Sequence, residues 1–260
     1  MEFIDINSLL ERRSEIKKSY HAKKPFRYVM VENFFKADQA ELIYQNYPSI
    51  KDGKWGGTTY IDQKNKFQKT EFDKNSVTNK VFKELNSKDF LTWLQDVTEM
   101  EAELFADDDL FGGGLHQSIN GAFLNVHVDY NIHPKTKYHR RLNLLVYMNK
   151  DWKDEYEGHL ELWDLSNNNK LLLGKYAPTF NRCVIFETNE VSFHGHPKPL
   201  KTPDHMNRKS IATYYYTKTR PENEIVSEHN TIYVNTEGLA GQAKRLNSGV
   251  KALLERINKK

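Results

Sequence analysis

The 260-residue chain holds a single cysteine, Cys183. It sits in the apolar run FNRCVIFET, so a disulfide framework is excluded, and a buried thiol in a reducing compartment is the expectation. No stretch approaches the roughly 20 consecutive apolar residues of a membrane-spanning helix. The opening MEFIDINSLLERRSEIKK has no apolar signal core, and a soluble, cytoplasmic protein is expected. Net charge is also scarce: 38 Lys and Arg against 35 Asp and Glu leave +3, too even to imply a nucleic-acid partner. No period of roughly 20 to 50 residues recurs, which excludes solenoids and propellers.

What is present divides into a helical start, a β-rich middle and a mixed end. Residues 1–24 have helical spacing and many charges, the pattern of a surface helix or arm. FRYVMVENFF then reads as a strand entering a turn, and KADQAELIYQNYP as an amphipathic helix stopped by Pro48. WGGTTYIDQKNKFQKTEFDK shows no clear period and suggests a loop or irregular strands; SKDFLTWLQDVTEM suggests another helix. From Gly114 onward, GAFLNVHVDYN, RRLNLLVYMN, HLELWDL, RCVIFET, EVSFHGH and SIATYYYTK are short β runs separated by turns. Consecutive runs of this kind favour a sandwich or barrel over a parallel βαβ sheet. The division expected is an arm at 1–24, a main domain at 25–220 with its core at 114–217, and a tail at 221–260. That tail ends in a basic helix, GQAKRLNSGVKALLERINKK, whose charges are expected to face solvent.

His127 and Asp129 in NVHVDYN are two apart, so on a strand both project from one face while Val128 packs on the other. An imidazole and a carboxylate from one strand are two members of the 2-His-1-carboxylate set that leaves positions open on non-haem Fe(II). SFHGHP offers the third, as His194 or His196. Strand parity cannot separate these two histidines. His196 precedes Pro197, which lacks a backbone N–H and weakens pairing, so its direction is less firmly held than that of His194. Arg208 and Ser210 in RKSIATYYYT repeat the two-residue spacing and offer a planar fork and a hydroxyl to a carboxylate.

The order His-x-Asp, β run, histidine, Arg-x-Ser resembles the Fe(II)- and 2-oxoglutarate-dependent oxygenases, in their prolyl-4-hydroxylase-like branch. LLVYMNKDW and Glu157-Gly158-His159-Leu160 are similar to that family's Tyr-Leu-Asn-x-x-Trp and Gly-Gly-x-Leu segments, with one glycine replaced. The resemblance covers about Gly114 to Thr217, with PFRYVMVENFF similar to the branch's entry strand. It implies a mainly β fold with flanking helices, built on a double-stranded β-helix of jelly-roll or cupin kind. By the same resemblance, iron falls on His127, Asp129 and His194, and the distal carboxylate of 2-oxoglutarate on Arg208, with Tyr147 and Ser210 as further donors. Phe-His-x-Val in the family puts His196 in a valine's place, at the site entrance or against substrate.

The activity implied is hydroxylation of an unactivated C–H bond with O₂, giving succinate and CO₂, with ascorbate as reductant. The prime substrate stays open between a prolyl residue of a peptide or protein and a small molecule such as an amino acid, sugar or lipid. WGGTTYIDQKNKF and NIHPKTKYHRR are the candidate selectivity elements. Two other classes remain: a cupin-like module that binds metal without turnover, and a zinc hydrolase, neither of which uses Arg208 and Ser210. Gln117 and Asn125 are candidates to face the cofactor, and Tyr147 has the alternative of a core tyrosine. His116, after the glycines of FGGGLH, either lines the mouth of the site or belongs to a flexible turn. His133, His139 and His159, without partners at ligand spacing, read as surface or loop histidines.

Overall fold

The computed structural model describes residues 1–52, 54–166 and 170–257. Its centre is β5 (Gly114–Val128), a strand of 15 residues long enough to belong to two sheets. The first half of β5 pairs with β11 (Arg208–Thr217), followed outward by β6 (His139–Tyr147), β9 (Arg182–Glu187) and β1 (Tyr28–Val31). Its second half pairs with β10 (Phe193–His196), followed by β7 (Leu160–Asp164) and β8 (Leu171–Tyr176). All pairings are antiparallel, and the two halves face each other as a double-stranded β-helix.

Alternation along the strands builds two cores. Leu142, Leu144 and Val146 of β6, with Cys183 and Ile185 of β9, face outward. Helices cover them: α1 (Ile6–Glu11), α2 (Arg13–His21), α3 (Ala37–Gln45), α4 (Val77–Leu85) and α5 (Lys88–Thr98). Their Leu9, Ile16, Ile43, Phe82, Phe90 and Leu94 join the same buried cluster. The intervening residues Tyr147, Val184 and Phe186 point between the sheets and pack on Leu160 and Leu162. Cys183 is free and buried, as its run suggests. Serine caps start two helices: Ser76 Oγ accepts from Asn79 N at 3.2 Å, and Ser87 Oγ from Phe90 N at 3.3 Å.

One stretch settles an alternative left by the sequence in favour of irregular strands, and another corrects an expectation. The segment from Trp55 forms a hairpin, β2 (Gly56–Tyr60) and β3 (Gln63–Lys69), whose second strand pairs along β5. The terminal helix α6 (Gly238–Ile257) does not leave all its charges to solvent: Arg245 Nε lies 2.9 Å from Asp62 Oδ1, and Lys244 Nζ donates to the Pro197 carbonyl at 2.7 Å. These contacts tie the helix to the hairpin and to the end of β10. Residues 258–260 of the expected basic helix lie outside the described residues.

Candidate active site

β5 and β10 are neighbours in a register that sets His127 directly opposite His194. Asp129 follows the end of β5. His127 Nε2 is 3.6 Å from Asp129 Oδ1, and His194 Nε2 is 3.4 Å from Oδ2. One ligand atom from each of the three residues falls within 4.8 Å of the others. In both rings the other nitrogen is occupied: His127 Nδ1 donates to the Asn125 carbonyl at 2.8 Å and His194 Nδ1 to the Ser192 carbonyl at 2.9 Å. The acceptors are carbonyls, so the proton sits on Nδ1 and each Nε2 keeps a lone pair. Gly195, between the two histidines of β10, lets the strand approach. A Cβ there would sit 2.9 Å from the backbone oxygens of Leu124 and Asn125.

Asp129 is ionised against the cost of its burial. Burial raises its carboxyl, but Arg140, then His194 and His127, more than reverse this and hold it well below the usual carboxylate range. Arg140 NH2 is 3.1 Å from Oδ2, and Asn143 Nδ2 donates to the same oxygen at 2.7 Å. Arg140 is itself fixed: its Nε and NH2 donate to Asn143 Oδ1 at 2.9 and 2.7 Å, and its guanidinium lies 3.5 Å from the Tyr214 ring centre and 4.5 Å from that of Tyr130. Burial and then the neighbouring His127 push His194 down to about 4, which keeps it a neutral ligand at neutral pH. This donor set suits a divalent ion. Bonds of about 2.1 Å at right angles put adjacent donors about 3.0 Å apart, a little closer than the two histidine–carboxylate separations of 3.6 and 3.4 Å.

The cavity beside this cluster is lined by Arg208, Tyr147 and Ser210. Ser210 is the register partner of Tyr147. Arg208 Nε donates to the Gly158 carbonyl at 2.7 Å, and its NH2 reaches the Tyr147 hydroxyl at 3.3 Å. Tyr147 is thus both alternatives at once, a buried core ring whose hydroxyl reaches the cavity. Gly158 has φ +70° and leaves room that a Cβ would take, 2.3 Å from Leu200 Cδ2 and 3.1 Å from Arg208 Cδ. Glu157, at the replaced glycine, has φ 56° and ψ −148°, backbone geometry that glycine adopts most readily. With Arg208 as a planar fork beside two hydroxyls, the cavity fits the distal carboxylate of a 2-oxo dicarboxylic acid.

Neither Gln117 nor Asn125 faces this cavity. Gln117 Nε2 donates to the Pro48 carbonyl at 2.7 Å, and Asn125 Nδ2 to Asp62 Oδ1 at 2.9 Å. The reason is a bulge: His194 pairs with His127 while His196, two residues on, pairs with Leu124, three back. One extra residue in β5 flips its alternation, so His116, Ser118 and Leu124 line the cavity instead. His116 therefore lies on a strand and not in a flexible turn. His196 is buried beside Arg208, and its Nδ1 has no hydrogen-bond partner among the described residues. His133 and His159 do lie in loops, but they are buried and not at the surface, at 2% and 6% exposed. His133 lies 3.5 Å from Asp107 and His159 3.1 Å from Asp154. His139, at the start of β6, is half-buried. Arg140, Asn143 and Lys66 escaped the sequence reading, although Asn143 shares the face of Tyr147 four residues on, a signal that could have found it.

Comparison with known proteins gives a match of residues 113–216 to the family model of the 2OG-Fe(II) oxygenase superfamily. This stretch contains all three residues of the metal cluster, His127, Asp129 and His194. A mouse protein named prolyl 3-hydroxylase OGFOD1 is 24% identical over 204 residues, 76% of this chain. The chain spans 34% of that relative's length. The fold is shared with a Trichoplax adhaerens prolyl hydroxylase solved with a hypoxia inducible factor oxygen degradation domain peptide. That likeness has a TM-score of 0.58 at 14% identity, covering 81% of this chain and 93% of the other. It is shared too with Streptomyces hygroscopicus HygX bound to nickel, 2-oxoglutarate and hygromycin B, at TM-score 0.53 and 12% identity over 82% and 97% of the two chains.

Proposed function

We propose that the chain is an Fe(II)- and 2-oxoglutarate-dependent dioxygenase that hydroxylates a prolyl residue of a peptide or protein, with succinate and CO₂ as co-products. His127, Asp129 and His194 hold the iron; Arg208, Tyr147 and Ser210 hold the distal carboxylate of 2-oxoglutarate. The observation that carries this reading is that a three-residue metal cluster and a buried arginine with two hydroxyls line one cavity. A binding module or a zinc hydrolase has no use for that arginine.

Iron and 2-oxoglutarate, once bound, would supply the electrons that activate O₂. The chain's own residues do the rest. His127 and His194 present Nε2 because their Nδ1 hydrogens are held by carbonyls. Arg140 and Asn143 fix Oδ2 of Asp129 and keep it ionised. Leu124, Leu145, Leu160 and Tyr214 give the cavity apolar walls, and the low polarity there strengthens the charge interactions inside it. Outside lies an open groove of about 850 Å³ that reaches His127 and Asp129 and carries Tyr60, Phe111, Tyr130 and Tyr233 on its walls. An aromatic, open groove suits an extended peptide that drops one side chain towards the metal.

The test supplies Fe(II), ascorbate, O₂ and 2-oxoglutarate with a panel of proline-containing peptides. Succinate should form together with peptide that has gained one oxygen. Succinate formed only with small molecules would retain the dioxygenase and replace its substrate class. No succinate above a His127→Ala control, even with cell extract as a substrate source, would overturn the activity.

A further inference from the structure

The hairpin β2–β3 borders the groove, yet one of its side chains turns inward. Lys66 of β3 is the register partner of Ser118 on β5, and Ser118 is the register partner of Arg208 on β11. Residues in register on adjacent strands share a face, so the three form a row. The next row is Gln68, His116, Ser210 and Tyr147. Strands spaced about 4.8 Å apart set the Cα atoms of Lys66 and Arg208 about 10 Å from each other. Lys66 lines both the inner cavity and the outer groove, and so stands at the throat between them.

The cations around this throat are not equivalent. Arg140 is matched by Asp129 at 3.1 Å. Burial keeps His116 neutral. Two positive charges therefore face the inner cavity without a carboxylate of their own, Arg208 and Lys66. The Lys66 ammonium has no hydrogen-bond or ion-pair partner among the described residues. Burial, with Arg208 and Arg140 nearby, pushes it down to about 8 in spite of the attraction of Asp129. An ammonium held in such a place costs stability until an anion meets it.

We propose that Lys66 is the second cationic contact of the co-substrate cavity, donating to the carboxylate of 2-oxoglutarate at the end away from Arg208. The assignment rests on the 2-oxoglutarate reading above and deepens it. A dicarboxylate has two charged ends, and the row supplies one cation for each, from opposite sides of Ser118. Because that ammonium also borders the groove, filling the inner cavity sets the charge that the prime substrate meets.

The test is an anaerobic titration of 2-oxoglutarate into the Fe(II) protein, followed by the metal-to-ligand absorption band, for wild type, Lys66→Met, Lys66→Arg and Arg208→Ala. Lys66→Met should weaken 2-oxoglutarate about tenfold or more, as for loss of a charged hydrogen bond, with iron stoichiometry unchanged. Lys66→Arg should recover most of the loss. With 2-oxobutyrate, which lacks the distal carboxylate, Lys66→Met should still weaken binding and Arg208→Ala should not. A wild-type band with unchanged affinity in Lys66→Met overturns this assignment alone. A Lys66→Met defect confined to the dicarboxylate also overturns it, by moving Lys66 to the distal end. A wild-type chain without the band overturns the oxygenase reading and this assignment together.

Discussion

Arg140→Met tests how the carboxylate ligand is held. Arg140 is 1% exposed, so its charge has no water to retreat to, and Asp129 and Asn143 are its hydrogen-bonding partners. Methionine keeps much of the volume between Tyr130 and Tyr214 but leaves a buried carboxylate with a single amide donor. Breaking one side of a buried ion pair costs about 3–5 kcal/mol, and loss of the guanidinium between two rings adds to it. For a chain of this size that lowers the midpoint of unfolding by about 10 °C. Without Arg140, the largest influence holding the Asp129 carboxyl down, burial raises that carboxyl towards protonation. A divalent ion restores the missing positive charge, so the destabilisation should be larger without metal than with it. Urea unfolding of both proteins, metal-free and with saturating Fe(II) under argon, measures both quantities. A loss below about 1 kcal/mol, or a gap that metal does not narrow, would refute the reasoning.

Gly195→Ala should abolish iron binding while leaving most secondary structure intact, because a Cβ 2.9 Å from two backbone oxygens pushes β10, and with it His194, away from β5; circular dichroism and metal analysis on one sample decide it. His194, held neutral down to about 4, makes metal-free stability depend on pH. Below about 6.5 the unfolded chain takes a proton that the folded chain refuses, so stability is complete above that pH and falls as pH drops towards about 4, by about 3 kcal/mol. His194→Gln should remove that slope, and an identical slope in both proteins would exclude the assignment. Lys66→Met should stabilise the metal-free protein by about 1–2 kcal/mol, the cost of its depressed affinity for a proton discounted because the side chain is only half-buried. Scanning calorimetry would contradict this by finding no rise in melting temperature.

Much of the site was legible because its parts follow strand parity. His127 with Asp129 at the end of β5, and Arg208 with Ser210 on β11, are pairs two apart, and the runs that became β5, β6, β7, β9, β10 and β11 are rich in β-branched and aromatic residues. Parity failed where the strand did. The extra residue between Leu124 and His127 turned Gln117 and Asn125 outward, and no composition signal marks a bulge without a glycine or proline. The β2–β3 hairpin hid because GGTTY and QKNKFQK have no apolar alternation; β5 rather than a hydrophobic face holds it. Two of the longer elements went unread. LLLGKY of β8 is leucine-rich and exposed at a sheet edge, and VTNKVFKEL of α4 carried a usable signal in its Ser76 cap and the spacing of Val77, Val81 and Leu85. Arg140 could not be told from a solvated charge, since its burial depends on Tyr130 and Tyr214 arriving from other strands and loops.

The most direct measurement is iron and 2-oxoglutarate stoichiometry under anaerobic conditions for wild type, His194→Ala and His196→Ala. Wild type should bind one Fe(II) and then one 2-oxoglutarate, with the visible metal-to-ligand band. His196→Ala should keep the iron and the band, and His194→Ala should lose both. Metal retained by His194→Ala and lost by His196→Ala, or a wild-type protein that binds iron but shows no band with 2-oxoglutarate, would contradict the account.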